Sequence, residues 1–357
     1  MTIILGLDIG GANTKTALLN FKDNKIIESF SYIEYFPFWK KNVLEIPEML
    51  IHVSKNLVEK NNYSLNNIDH YAITITAELS DAFQTKREGI HTILNALTKV
   101  FRKDKLRFIT NECHFIDFNI AKSKYFSIAA ANWASTALFL GKFVPECILI
   151  DAGSTTIDII PILNSIPVPQ GKDDISRLMN HELIYTGGLR ATIPSITHHV
   201  FYKNKNIRIS FENFALISDV HRILNNITEN EYINDTADNR SKSLEDSYAR
   251  LSRIICMDIE TISKEALDLI ANFIYQKQLE IITREIRAFM NYLNLRLKEF
   301  NDNPKFVITG LSANFLIKKP LQDLGFTNII NYEDITNIPD NISSSAYAVA
   351  GAFYNQL

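Results

Sequence analysis

The residues of this chain best suited to chemistry gather at two short glycine turns. The first is Asp8-Ile9-Gly10-Gly11-Ala12-Asn13-Thr14-Lys15 and the second is Asp151-Ala152-Gly153-Ser154-Thr155-Thr156-Ile157-Asp158. Each follows an apolar run, and in each a carboxylate stands two residues before a glycine. Gly10, Gly11 and Gly153 carry no Cβ, so backbone N–H groups at such a turn can approach an anion closely. Asp8, Asp151 and Asp158 offer the oxygen ligands that Mg²⁺ prefers, directly or through water. Lys15 supplies a point charge for a phosphate, with Asn13 beside it, and Ser154, Thr155 and Thr156 supply hydroxyls. Either turn alone also reads as a plain hairpin with a capping Asp.

The two turns are copies of one design. Ile4–Leu19 aligns with Ile148–Ile162, placing Asp8 on Asp151, Gly10 on Gly153, Gly11 on Ser154 and Lys15 on Asp158. Two such loops facing each other would clamp a polyphosphate and its metal, with Asp8 and Asp151 sharing Mg²⁺ mostly through water. A third element, Val307-Ile308-Thr309-Gly310-Leu311-Ser312, reads as a strand, a glycine turn and a helix start, a place that favours anions or a nucleotide. Gly187-Gly188 precedes Arg190, a pattern suited to a diphosphate contact. Glu78 follows an apolar strand and is a candidate general base or a clamp for a substrate amine; it suits a helix-start carboxylate equally well. Of twelve glycines, Gly6, Gly10, Gly11, Gly153, Gly187, Gly188, Gly310 and Gly351 lie in or beside these motifs.

Strands and helices must alternate to position these groups. Short β-branched runs predict strands at Ile3–Asp8, Thr14–Asn20, Ile26–Ile33, His70–Thr76, Arg107–Ile109 and Phe115–Phe118. Helices are expected at Val43–Lys60, Glu88–Arg102 and Ser127–Leu140, the last ending on Gly141 as a C-cap. The strand pattern restarts at Ile148–Asp151 and Thr156–Leu163. The later half is mostly helical, with its longest helix at Lys264–Phe300, stopped by Asn301-Asp302-Asn303-Pro304. Strand Lys305–Thr309, helix Ser312–Lys319 and a small-residue helix Ser343–Tyr354 close the chain. The alternation argues an α/β architecture. The restart divides it into residues 1–143 and 144–357, with a mostly helical insertion at about 195–260.

Bulk properties exclude several classes. With 357 residues there is room for two domains, and an apolar content of 46% suffices for their cores. A net charge of −3 gives no reason to expect nucleic acid or an anionic membrane as partner. Cys113, Cys147 and Cys256 are scattered and odd in number, which reads as reduced thiols in a cytoplasmic protein. The N-terminus reads as a strand rather than a signal peptide, and the apolar window Phe126–Phe143 as a buried helix rather than a membrane span. His198-His199 lacks a carboxylate or Cys at ligand spacing, so zinc is not expected. Trp133 and Asn132 read as helix packing, Trp39 near Phe36 and Phe38 as core or an apolar flap, and Asp238, Arg240 and Lys242 as a solvated loop or a cleft cover.

The hairpins, the Thr309–Ser312 turn and the closing helix resemble the phosphate, adenosine and connecting segments of the actin-like ATPase superfamily, nearest its hydantoinase/oxoprolinase-like branch. The resemblance extends to a family linked to tetrahydromethanopterin-dependent C1 transfer. It is carried by DIGGANTK (Asp8–Lys15), ITITAELSDAF (Ile73–Phe83), REGI (Arg87–Ile90), AAANW (Ala129–Trp133), IDAGSTTIDIIPI (Ile150–Ile162), ELIYTGGLRATIP (Glu182–Pro194), DVHRIL (Asp219–Leu224) and TADNRSKS (Thr236–Ser243). It implies a two-lobed actin-like (ribonuclease H-like) fold with duplicated phosphate hairpins. It implies, too, a transferase of methanofuran biosynthesis that joins (5-(aminomethyl)furan-3-yl)methyl diphosphate to γ-glutamyltyramine and releases diphosphate, with Mg²⁺ and without a need for ATP. Asn239 stands where the family's segment is expected to hold glycine, and Asn is the next-best residue for positive φ.

The generic fold supports two other readings: an ATP-dependent small-molecule kinase or ATPase, and a non-catalytic nucleotide-binding regulator. Fold alone does not separate them, because one fold hosts many chemistries. Neither the oligomeric state nor the use of ATP or ADP is written in the residues.

Overall fold

The computed structural model describes residues 1–300, 303–338 and 343–357. The chain opens with strands β1 (Thr2–Gly10), β2 (Asn13–Lys22), β3 (Lys25–Tyr35), β4 (His70–Thr76), β5 (Leu106–Ile109) and β6 (Phe115–Asp117). They form one sheet in the order β3-β2-β1-β4-β5-β6. A second sheet is built from β7 (Cys147–Ala152), β8 (Ile157–Leu163), β9 (Ile166–Pro167), β10 (Leu183–Ile184) and, after the two-stranded hairpin β11 (His199–Tyr202) and β12 (Lys205–Arg208), from β13 (Phe306–Thr309) and β14 (Ile329–Asn331). Its order is β10-β8-β7-β13-β14, with β9 on β8. In both sheets a hairpin's first strand pairs with a later strand on its other side, so the duplication read from the sequence is a duplication of topology.

Two compact units result. One comprises residues 1–149, 160–179 and 332–357; the other comprises 150–159 and 180–331. This differs from a single cut at 143/144, because the closing helix Ser344–Tyr354 belongs with the first sheet. The cause is local: a Cβ on Gly6 would lie 2.0 Å from the Ala346 carbonyl oxygen. Only glycine on β1 lets that helix sit so close to the strand. The run 195–260 also holds more strand than expected, in the β11–β12 hairpin, beside the helices Ile217–Ile223 and Leu244–Arg253.

The core of the first unit is aliphatic and aromatic. It joins Leu5, Leu7 and Ile9 of β1 and Tyr71, Ile73 and Ile75 of β4 to the apolar faces of helices Ile46–Lys60 and Lys86–Val100. The second unit packs Ile217, Val220 and Leu251 against Leu267, Ile270 and Ile274 of the long helix Lys264–Arg296. That helix stops at Arg296, before the expected breaker, of which Asn301 and Asp302 lie outside the described residues. The expected helix Ser127–Leu140 starts only at Asn132, because Ala130 sits at φ +49° and breaks the turn before it. Gly141 is not a left-handed cap. A Cβ there would meet the Ser165 carbonyl oxygen at 2.5 Å, so its role is close approach. Among the described residues, no helix is long and apolar enough to cross a membrane.

Candidate functional site

In the first unit, β1 and β2 place Asp8 opposite Lys15 in the antiparallel ladder. Their side chains meet: Lys15 Nζ lies 3.8 Å from Asp8 Oδ2 and 3.5 Å from Ser345 Oγ. Ser345, on the closing helix, donates to Asp8 Oδ2 at 2.5 Å. Asp8 is buried, yet its Oδ1 has no hydrogen-bond partner, and neither do Asn13 Oδ1 and Thr74 Oγ1 on the two neighbouring strands. Thr74 is the residue of β4 level with Asp8. Buried oxygens without partners are uncommon and costly, so this set has the makings of a binding site. The Gly10-Gly11 turn runs beside Ser80, whose Cβ would be 3.7 Å from a Cβ on Gly11, and beside the segment of Phe36 and Phe38, which donates its N–H groups to the Ala12 and Gly11 carbonyls. Phe36 and Phe38 are buried.

Glu78 lies just past the end of β4 and is 1% exposed. Helix Lys86–Val100 presses on its backbone, and only glycine at position 89 permits this, since a Cβ would lie 2.7 Å from the Glu78 Cα. Burial pushes the Glu78 carboxyl up to about 7, against the pull of Lys86. Lys86 pairs with Asp174 at 3.3 Å, and Glu78 Oε2 has no hydrogen-bond partner. A buried carboxyl poised near neutrality suits proton transfer better than a helix start. One helical turn past Asp174, Arg177 stacks its guanidinium over Trp133, 4.8 Å from the ring, and both are buried.

In the second unit, three motifs knit into one loop cluster. The turn 153–156 is closed by Gly153 N–H to the Thr156 carbonyl at 2.9 Å. Its outer carbonyls are then taken by the 187–190 strip. Gly187 N–H donates to Thr155, Gly188 to Gly153, and Leu189 and Arg190 both to Ser154. Gly187 must be glycine, because a Cβ would lie 2.6 Å from three backbone atoms of residues 153–155. Ser312 donates its N–H to the Ala152 carbonyl, and its single hydroxyl proton lies within reach of both the Ala152 and Gly153 carbonyls, 2.8 and 2.9 Å from Oγ. Gly310 sits at φ +95°, and a Cβ on it would lie 2.4 Å from the Ala152 oxygen and 2.6 Å from Asp151 Oδ1. With its carbonyls and the Gly153 N–H occupied, the turn offers the N–H groups of Ser154 and Thr155 and the hydroxyls of Ser154, Thr155 and Thr156 as the groups an anion could use. Asp158, buried on β8, is level with Leu183 of β10.

The candidates thus fall into two clusters, one per unit: Asp8, Gly10, Gly11, Asn13, Lys15 and Glu78 in the first, and Asp151, Gly153, Ser154, Thr155, Thr156, Asp158, Gly187, Gly188, Arg190 and Gly310 in the second. Sequence reasoning missed Ser345, and it missed the buried network behind the second cluster. There Arg250 pairs with Asp219 at 2.8 Å and with Asp238 at 3.1 Å, and Tyr232 donates to Asp219 at 3.0 Å. Arg253 also reaches Asp238, at 2.9 Å. Asp238 therefore anchors its loop inward, while Arg240 remains exposed. Asn239 adopts φ +58°, a conformation that favours Gly and, next, Asn. The helix Ile217–Ile223 is short and polar residues interrupt its buried face, which is the signal that could have exposed Asp219 and His221.

Known proteins agree with this architecture. The hydantoinase/oxoprolinase family pattern matches residues 69–356. A (4-{4-[2-(γ-L-glutamylamino)ethyl]phenoxymethyl}furan-2-yl)methanamine synthase of Methanocaldococcus jannaschii is 36% identical over 356 residues, covering 99% of this chain and 98% of that protein. A synthase of the same name from Methanococcus vannielii is 31% identical over 215 residues, 59% of this chain and 92% of that protein. A nucleotide-free structure of acetone carboxylase shares the fold, with a TM-score of 0.52 at 11% identity, over 98% of this chain and 70% of that one. The architecture is the α/β actin-like fold that the resemblance implied. The chain belongs to the hydantoinase/oxoprolinase family.

Proposed function

We propose that this protein is a transferase that condenses (5-(aminomethyl)furan-3-yl)methyl diphosphate with γ-glutamyltyramine, forming the furan–tyramine ether of methanofuran and releasing diphosphate. The observation that carries the reading is the identity of 36% to the Methanocaldococcus jannaschii synthase, spread over 99% of the chain. The loop clusters supply chemistry that suits it. The bond from the furanylmethyl carbon to the diphosphate oxygen breaks, and a bond from that carbon to the phenol oxygen forms. The phenol proton must leave, and the electron pair of the broken bond departs with diphosphate.

Such a reaction needs charge held, water excluded and a proton accepted. In the second unit, the turn 153–156 with Gly187, Gly188 and Arg190 would hold diphosphate; in the first, Lys15 is a cation suited to steadying phosphate charge. Glu78, ionised at neutral pH or just above, would take the phenol proton. The apolar wall of Phe36 and Phe38 would keep water from the furanylmethyl carbon. The donor set fits Mg²⁺: Asp8 keeps one buried oxygen without a partner, and Mg²⁺ is commonly held by one or two carboxylates, waters and substrate phosphates. In the first unit Asp8 would hold the ion; in the second, Asp151 and Asp158 offer the same oxygen chemistry. A held Mg²⁺ would neutralise part of the diphosphate charge.

The test is to incubate purified protein with both substrates and Mg²⁺, with and without ATP, and to detect the ether by mass spectrometry. Ether formed at equal rates in both arms is the expected result. A strict ATP requirement with stoichiometric ADP release would overturn the transferase and favour the kinase reading. Absence of any turnover on these and related substrates, unchanged by Asp8→Asn, would favour a nucleotide-binding regulator.

A further inference from the structure

We infer that Asn226, His221 and Gln278 form a buried hydrogen-bonded relay that positions the Gly187-Gly188 strip, and through it the phosphate turn 153–156. The inference rests on the transferase reading and names residues that act on the diphosphate site from behind it.

Gln278 is on the long helix Lys264–Arg296 and is fully buried. Its amide nitrogen donates to Thr186 Oγ1 at 3.0 Å and to the Gly187 carbonyl at 3.1 Å. An amide nitrogen has two hydrogens, and both are used. Its Oε1 must then accept, and it lies 2.9 Å from His221 Nε2. His221 Nδ1 lies 3.1 Å from Asn226 Nδ2, which can only donate. The chain of donors is therefore determinate: Asn226 to His221, His221 to Gln278, Gln278 to the strip. It requires a neutral imidazole with its proton on Nε2. Full burial enforces neutrality by pushing His221 down to about 3.

The ring is held as well. His221 lies edge-on to Tyr275, 5.6 Å between centroids, and 4.6 Å from Phe315. The Tyr275 hydroxyl donates to the Phe315 carbonyl at 2.5 Å. Phe315 also reaches the strip, since a Cβ on Gly188 would lie 3.3 Å from its ring. Residues 187–190 in turn occupy the carbonyls of Gly153, Ser154 and Thr155. Any shift of residues 186–188 is thus passed to the turn whose N–H groups would meet diphosphate. An apolar residue at 278 would fill the space and leave the Gly187 carbonyl without its donor, so the amide is there for position rather than for packing.

The experiment is isothermal titration of inorganic pyrophosphate with Mg²⁺ into the wild-type protein, Gln278→Met and His221→Phe, with steady-state kinetics on the same proteins. Met keeps the length of Gln and removes both donors. If the loss of one buried hydrogen bond is passed in full to the phosphate turn, it corresponds to roughly fivefold in affinity. Gln278→Met is expected to weaken pyrophosphate at least about 10-fold and His221→Phe about fivefold, with KM for the diphosphate substrate rising in step and KM for γ-glutamyltyramine within about twofold. Pyrophosphate binding unchanged in either folded variant would overturn the relay. So would equal losses for both substrates with a lowered thermal midpoint, which is the mark of a merely structural role. If Gln278→Met does not fold, His221→Phe alone decides. Wild-type protein that binds no pyrophosphate would instead overturn the diphosphate site itself, and the relay's role with it.

Discussion

Glu78→Gln removes an ionisation while keeping the shape of the side chain, and the structure sets the size of the effect. The carboxyl rises from its ordinary 4.5 to about 7 because it is buried. At about 1.4 kcal/mol per pH unit this is roughly 3 kcal/mol. The sign follows from the folded state preferring the neutral form. That contribution to stability is fully present below pH 4.5 and is lost as the pH rises through about 7. At pH 8 the wild type holds a buried carboxylate and the variant does not, so the variant should be more stable by up to about 3 kcal/mol. Near pH 5 the difference should shrink below about 1 kcal/mol. Urea unfolding of both proteins at the two pH values measures it, and taking the difference cancels every other titrating group. Catalysis should run the other way. Wild-type kcat/KM should climb through about pH 7 as Glu78 ionises, whereas the variant should lose that limb and about 10²- to 10⁴-fold in rate. A stability difference that stays flat from pH 5 to pH 8 would refute the reasoning from burial.

Asp8→Asn should cut ether formation at least about 100-fold, with a stability change under about 1 kcal/mol by thermal unfolding, because Ser345 can still donate to an amide oxygen. Retained turnover with a large fall in thermal midpoint would show Asp8 to be structural. Arg250→Met leaves the buried Asp219 without its cation, which should cost about 3–5 kcal/mol and be visible as early unfolding in urea. Asn239→Gly should change stability by less than about 0.5 kcal/mol, whereas Asn239→Ala at the same positive φ should lose about 1 kcal/mol; thermal midpoints of the three proteins rank them.

What could be read in the sequence was what local chemistry dictates. The two Asp-x-Gly turns are visible because a duplicated hairpin repeats residue types at fixed offsets, and Asp8 and Lys15 follow from antiparallel pairing across a two-residue turn. Asn239 at positive φ was legible from the glycine that the family resemblance places there, which Asn can replace. The partners across space were not. Ser345 reaches Asp8 from 337 positions away, and no local pattern points to it. Gln278 did leave a trace, a polar residue in the buried stripe of Ile274 and Ile282, but a trace of that kind does not say what the amide holds. The break before Asn132 was hidden because alanine at positive φ defies its own propensity, and only tertiary contacts impose it. Gly141 was misread for a related reason: a helix-end glycine serves a cap or a close contact, and only the neighbour, Ser165, distinguishes them.

The close seat of Ala346 on Gly6 sets an order of events during synthesis. The strand Thr2–Gly10 and the helix Ser344–Tyr354 pack face to face across a separation of 337 positions between Asp8 and Ser345, so the ribosome delivers the strand long before the helix. Until residues 344–354 emerge, one face of β1 has no cover and Asp8 has no hydroxyl from Ser345. The second unit's sheet and long helix can close earlier, since domains fold as their residues appear. The phosphate turn at 153–156 is therefore ready before its counterpart at Asp8. A nascent chain halted after residue 331 would carry one finished loop cluster and an exposed apolar strand, the kind of surface that holdase chaperones bind.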